Sequence, residues 1–249
     1  MRSATLSPAI RVLRAGARLH TETSWLDSWH CFSFGRHYEP DNTHHGLLIA
    51  SNDNTLRGST GFSDHHHQEM EIVTWVVEGE LEQRDSEGGV RLLRPGLLGR
   101  VSAGRGIRHR EMNPASWAPC RYIEMWVPPD RGRLESSAEV VDVDEALTAG
   151  GFVPVASGAG HEFAAVLGQS QAVLWAARVV PGETVTIPDG AHVHLFLAVG
   201  AGVLDTGGLA GAGKLAEGDS VRLVAAGWPL FTAGPDGAEL LVLETASTV

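Results

Sequence analysis

The hydrophobic pattern along this chain is that of strands. Glu71–Val77 reads EIVTWVV, a run of apolar, β-branched and aromatic residues that stops at Glu78-Gly79. Leu81–Arg84 follows, then the turn Asp85-Ser86-Glu87-Gly88-Gly89, then Val90–Leu93. This is the signature of strand, hairpin, strand. Cys120–Val127 (CRYIEMWV) alternates apolar and polar positions until Pro128-Pro129 ends it. The stretch Pro128–Glu139 (PPDRGRLESSAE) is polar and rich in chain breakers, which suits a link between halves. Glu139–Ala149 has room for a short strand and a helical turn or two.

The second half repeats the rhythm of the first. HVHLFLAVGAG parallels HHHQEMEIVTWVVEGE, since each sets an HxH before an apolar strand that ends at glycine, and LAEGDSVRLVAAG parallels LLRPGLLGRVSAG. One β module used twice, its second copy degraded, accounts for this. Evenly spaced short strands with glycine-rich turns predict sandwiches or barrels. Thirty glycines and twelve prolines agree, and 43% hydrophobic residues are enough for a core.

Charge narrows the function. The formal net charge is −11, which argues against a phosphate-tracking surface and against attraction to anionic membranes. No apolar run reaches membrane-spanning length. MRSATLSPAIRVLRAG lacks the apolar core and cleavage site of a signal peptide, so a cytoplasmic protein is expected. Cys31 and Cys120, the two cysteines, form no CxxC pair and read as buried thiols.

The chemistry concentrates in Asp64-His65-His66-His67-Gln68-Glu69-Met70-Glu71. If this segment is the entry to a strand, alternation puts His65, His67, Glu69 and Glu71 on one face and His66 on the other. A second fragment, from Ser102 to Asn113, carries His109 and Glu111 at the same spacing of two. Strands from both fragments lining one barrel would bring together His65, His67, His109 and Glu111. Three imidazoles and a carboxylate suit a divalent Fe, Ni, Co, Cu, Mn or Zn ion. His192 and His194 repeat the HxH, but Val224–Phe231 opposite them contains no His or Glu, so a structural role is expected there. His44-His45 is read as an exposed loop pair. Gly104 and Gly106 are read as a tight turn that aims His109 inward, since the phosphate-loop alternative lacks a Lys and a helix.

GFSDHHHQEMEIVTWVVEG followed by SAGRGIRHREMN resembles the paired motifs of the pirin family, a branch of the cupins. The resemblance extends upstream to Ser24–Phe34 and downstream through Ile123–Val127, and it covers about residues 10–130 well. It implies an all-β fold of two tandem cupin jelly-roll barrels, a bicupin. Residues 1–130 would hold the metal and residues 131–249 would form a degenerate domain without one. It also implies the ligand set His65, His67, His109 and Glu111, with iron as the ion. Glu71, the ligand position of ordinary cupins, would give way to Glu111.

Several bacterial pirins resemble quercetin 2,3-dioxygenases, which implies a small enolic aromatic and dioxygen as reactants and Glu111 as the catalytic base. The mammalian members are transcription cofactors. That leaves open a metal- or redox-sensing regulator with a protein partner, or a bicupin that binds metal without turnover. The sequence departs from the family pattern at His66, at Arg110 and at Gln83, three changes expected at the pocket rim.

Overall fold

In the computed structural model the described residues are 6–209 and 213–246, so residues 1–5 of the N-terminal segment read above lie outside them. The strands of the first part are β1 (Ala9–Leu13), β2 (Leu19–Glu22), β3 (Leu26–His30), β4 (Ala50–Leu56), β5 (Gly61–His67) and β6 (Glu71–Glu78). They continue as β7 (Leu81–Asp85), β8 (Val90–Leu93), β9 (Leu97–Ser102), β10 (Ile107–Met112), β11 (Cys120–Val127) and β12 (Ser137–Asp142). A single α-helix among the described residues, α1 (Asp144–Thr148), follows the last of these. The second part adds β13 (Val153–Ser157), β14 (Ala165–Val166), β15 (Ala172–Val179), β16 (Thr184–Thr186), β17 (His192–Asp205), β18 (Gly213–Ala216), β19 (Ser220–Val224) and β20 (Leu230–Thr245).

The expected all-β architecture of two jelly-roll halves is present. In the first half a seven-stranded sheet, ordered β12-β9-β6-β11-β4-β3-β2, faces a four-stranded sheet, ordered β5-β10-β7-β8. In the second half a larger sheet runs β1-β19-β17-β20-β15-β13-β14. Two strands cross between the halves as they lie in sequence. β1 pairs with β19 of the second half, and β12, beyond the proline-rich stretch, pairs back onto β9. The expected helical turn after a short strand is α1.

The alternation along β11 explains how the halves join and why the first is hollow. Ile123, Met125 and Val127 point to one side, where they enter a core shared with Leu174, Phe196 and Leu241 of the second half. Tyr122, Glu124 and Trp126 point to the other side, into the first half, where Glu124 and Trp126 line a cavity. Burial of that shared apolar face is the main force holding the halves together. The corresponding interior of the second half is filled by aliphatic side chains such as Val193, Leu195, Leu223 and Val242. Cys31 and Cys120 are free and buried, as expected.

Candidate metal centre

β5 and β10 are antiparallel neighbours, with His65 opposite His109, His66 opposite Arg108 and His67 opposite Ile107. Strand parity therefore sends His65, His67, His109 and Glu111 inward, while His66, Arg108 and Arg110 are exposed on the outer face. A bulge between His109 and Glu111 resets the register, so that Glu111 lies opposite Phe62.

The three imidazoles converge. Their candidate ligand atoms lie within 4.8 Å of one another. The Nε2 atoms of His65 and His109 are 3.0 Å apart, and His65 donates its Nδ1 proton to the Ser63 carbonyl at 2.9 Å. That contact fixes the tautomer and leaves the Nε2 lone pair of His65 free to ligate. His67 Nε2 is buried with no hydrogen-bond partner among the described residues, and so is His109 Nδ1. Burial, reinforced by the neighbouring imidazoles, pushes the His67 pKa down to about 3. Burial likewise pushes His109 down to about 4. Both rings are neutral at pH 7, the form that binds metal. Three convergent imidazoles, with His67 and His109 held neutral and His67 Nε2 unpartnered, fit a divalent ion.

Glu111 is not part of the three-histidine cluster. It is buried at the wall of the same cavity and held from behind, since Gln83 donates to Oε1 at 2.8 Å and the Tyr122 hydroxyl donates to Oε2 at 3.0 Å. Burial raises its pKa against the opposing pull of Gln83, His65 and Tyr122. Gln83 also donates to Thr74 Oγ1 at 3.2 Å, so it lies buried behind the carboxylate and not at the pocket rim as expected. His66 and Arg110 are likewise off the rim, exposed on the outer face of the β5–β10 sheet.

Two further expectations fail for one reason. β5 ends at His67, and Glu69 adopts a left-handed conformation with φ of 53°. Parity counted through that turn has no meaning for Glu69 or Glu71. Glu69 accepts from the Arg133 backbone N–H at 2.8 Å. Glu71 accepts from Ser102 Oγ at 2.6 Å and from the Gly168 N–H at 3.0 Å, and so ties the first half to the second. The glycine turn is as expected. Gly104 has φ of 48° and its carbonyl accepts from the Glu69 N–H at 2.9 Å, which docks the turn after β5 against the turn before β10. His45 is not simply exposed, because its Nε2 donates to the Leu223 carbonyl at 3.1 Å. His192 and His194 serve packing, with His194 Nε2 3.2 Å from Ser51 Oγ.

The cavity in front of the imidazoles measures about 330 Å³. Its apolar walls include Leu26, Phe34, Phe62 and Trp126, and the Trp126 ring stands edge-on to His67 with centroids 4.9 Å apart. Asn52, Asn54 and Glu124 face the same space, although nothing in the sequence reading singled them out.

A family model described as Pirin matches residues 12–127. A Mycobacterium tuberculosis relative, provisionally named a quercetin 2,3-dioxygenase, is 43% identical over 240 residues, 96% of each chain. The chain belongs to the pirin family. An Escherichia coli protein named quercetin 2,3-dioxygenase is 39% identical over 125 residues, 50% of this chain and 54% of its own. The crystal structure of the bacterial pirin YhhW from Escherichia coli in complex with nickel(II) matches with a TM-score of 0.83 at 26% identity, covering 97% of this chain and 100% of that one. A pirin structure that holds nickel(II) and the convergence of His65, His67 and His109 here together support a divalent metal at this triad. No helix among the described residues is long and apolar enough to cross a membrane.

Proposed function

We propose that this pirin is a cytoplasmic metal-dependent dioxygenase of the quercetin 2,3-dioxygenase type, which opens a flavonol-like enolic aromatic with dioxygen. The observation that carries this reading is the convergence of the His65, His67 and His109 imidazoles, the latter two held neutral by burial, beside a largely apolar cavity of about 330 Å³. That size is in the range of small-molecule sites. A metal sensor needs the ion but has no use for a chamber beside it.

His65, His67, His109 and Glu111 are the proposed ligands, and iron is the proposed ion. A bound divalent ion would supply Lewis acidity and one-electron chemistry toward dioxygen. The protein side of the reaction belongs to the residues. The imidazoles present lone pairs in a fixed array, which lowers the reorganisation needed on binding. Glu111 is placed to take up the proton of the substrate's enolic hydroxyl, since a buried carboxyl with a raised pKa holds a proton more readily than one in water. Gln83 and Tyr122 orient it for that task. Phe34, Phe62 and Trp126 cover the aromatic body of the substrate and exclude water.

Protein purified without chelators or an affinity tag should carry iron on metal analysis. Reconstituted with iron and given quercetin, it should bleach the flavonol absorption band in air and leave it intact under anaerobic conditions. Absence of oxygen-dependent loss with every first-row metal tried would overturn the dioxygenase reading.

A further inference from the structure

The cavity has a second wall, opposite the β5–β10 sheet, and it is polar where a sandwich core would be apolar. β11, β4 and β3 set Glu124 opposite Asn52 opposite His30, and Tyr122 opposite Asn54 opposite Ser28. Alternation turns all six side chains toward the interior of the first half. Asn52, Asn54 and Glu124 are 2%, 3% and 6% exposed, yet all three line the cavity.

Each of these three spends one polar atom on the wall itself. Asn52 Oδ1 accepts from His30 Nδ1 at 2.8 Å, Asn54 Oδ1 accepts from Ser28 Oγ at 2.6 Å, and Glu124 Oε1 accepts from the Trp126 indole at 2.6 Å. The pattern is set from behind. Because His30 donates through Nδ1, its Nε2 accepts from the Thr21 hydroxyl at 3.0 Å, and the Thr21 oxygen in turn accepts from His37 Nε2 at 3.0 Å. One consistent set of protons satisfies this whole chain, and it leaves the Asn52 amide nitrogen pointing away from it. Among the described residues, Asn52 Nδ2, Asn54 Nδ2 and Glu124 Oε2 have no protein hydrogen-bond partner. Three donor and acceptor atoms that the wall itself leaves free, in one patch facing the cavity, are available to a ligand.

We propose that Asn52, Asn54 and Glu124 form a recognition subsite for an oxygen-rich edge of the substrate. The two amide nitrogens donate to its carbonyl or hydroxyl oxygens, and Glu124 Oε2 accepts from one of its hydroxyls. This rests on reading the cavity as the substrate chamber of a dioxygenase. The substrate class then has two ends. One oxygenated edge meets the metal centre, the other meets the amide and carboxyl patch, and a flat apolar body lies between Phe34, Phe62 and Trp126. Recognition by groups that are otherwise unpaired penalises an analogue that lacks the matching hydroxyl.

Two flavonols separate the ends: quercetin, which carries hydroxyls beyond the enolic edge, and 3-hydroxyflavone, which carries only the enolic one. Anaerobic calorimetric titration of the metal-loaded protein should show quercetin preferred by about tenfold or more. Glu124→Gln keeps an oxygen for Trp126 but offers the cavity an NH2 group in place of an acceptor. Asn54→Asp keeps the acceptor for Ser28 and removes the donor. Each should bring the two affinities to within about threefold of one another, with metal content unchanged. Equal binding of the two flavonols by wild type, binding of neither, or a preference untouched by Glu124→Gln would overturn the subsite. If Asn54→Asp does not fold, the wild-type comparison and Glu124→Gln still decide. A preference that is present in wild type and lost in the variants sustains the subsite even if admitting air produces no oxygen uptake, an outcome that sinks the dioxygenase reading alone.

Discussion

At the scale of single residues, the centre depends on how Glu111 is held. Its two oxygens take hydrogen bonds from Gln83 and Tyr122, so the fold itself holds the carboxylate in place. Glu111→Gln preserves the shape but cannot accept a proton from the substrate. Its kcat should fall by roughly 100-fold or more, the usual scale for loss of a general base, while the melting temperature moves little. Steady-state kinetics with quercetin beside a thermal melt would check this, and unchanged kcat would remove Glu111 from the proton-transfer role. The positions of His65, His67 and His109 were legible in the sequence because β5 is regular from His65 to His67 and β10 from Ile107 to His109, the part of the pairing that lies before the bulge. Legibility stopped at Glu69, where a left-handed residue ends the strand and breaks the count of two that parity depends on. Gln83 was noticed only as a departure from the family pattern. Its place behind Glu111 comes from the pairing of β7 with β10, which sets Gln83 opposite Glu111 across two separate segments of chain.

At the scale of elements, the strand that matters most to the cavity was the least visible. β4 reads ASNDNTL, and Asn and Asp are depleted from strands, so local propensity argues against the assignment. It forms because β11 and β3 pair with it on both sides and because its Asn side chains find partners in Ser28 and His30. Tertiary pairing overrides propensity here, at the wall of the cavity. β5 raises the opposite question, since its start is constrained by packing with β10. A Cβ added to Gly61 would run into the Glu111 carbonyl and meet the Met112 Cα at 2.7 Å. Gly61→Ala must therefore push β5 off β10 and spread the imidazoles without altering any of the three histidines. The expected cost is about 1–3 kcal/mol in stability, the range for overpacking, together with a measurable loss of bound metal. Denaturant melts and metal analysis of the variant would test it, and full metal occupancy would show that the triad tolerates a shift of its strand.

At the scale of the whole molecule, the two halves are bound by exchanged strands, a shared apolar core and a buried basic clasp. The exchange of β1 and β12 left no trace in the sequence pattern, because pairing between distant segments has no local signature. The clasp is Arg222, which donates to the Cys31 carbonyl at 2.7 Å and to Asn42 Oδ1 at 2.6 Å, with its guanidinium 4.1 Å from the centroid of the Phe32 ring. His45, His192 and His194 pack around the same junction. Burial pushes His45 down to about 4, with His192 and Arg222 adding to the effect. Burial also lowers His194 well below the usual value and lowers His192. The groups facing them include His44 and Arg222, and Arg222 itself faces Cys31, Arg11 and Glu39. Above pH 6.5 these imidazoles are neutral in both the folded and the unfolded chain, and they have no effect on stability. Below it the unfolded chain takes up protons that the fold refuses until about pH 4 in the case of His45. Stability therefore falls on acidification through that window. Glu111 and Glu124 act in the opposite sense, since their raised pKa values favour the fold as the pH drops toward their unfolded range. A variant isolates the imidazole contribution from this background. His45→Gln keeps a donor for the Leu223 carbonyl and cannot be protonated, so its urea midpoint should decline less steeply than that of wild type between pH 6.5 and 4. Parallel declines would mean that the junction opens enough to admit the proton, and that the halves are less tightly clasped than their buried contacts imply.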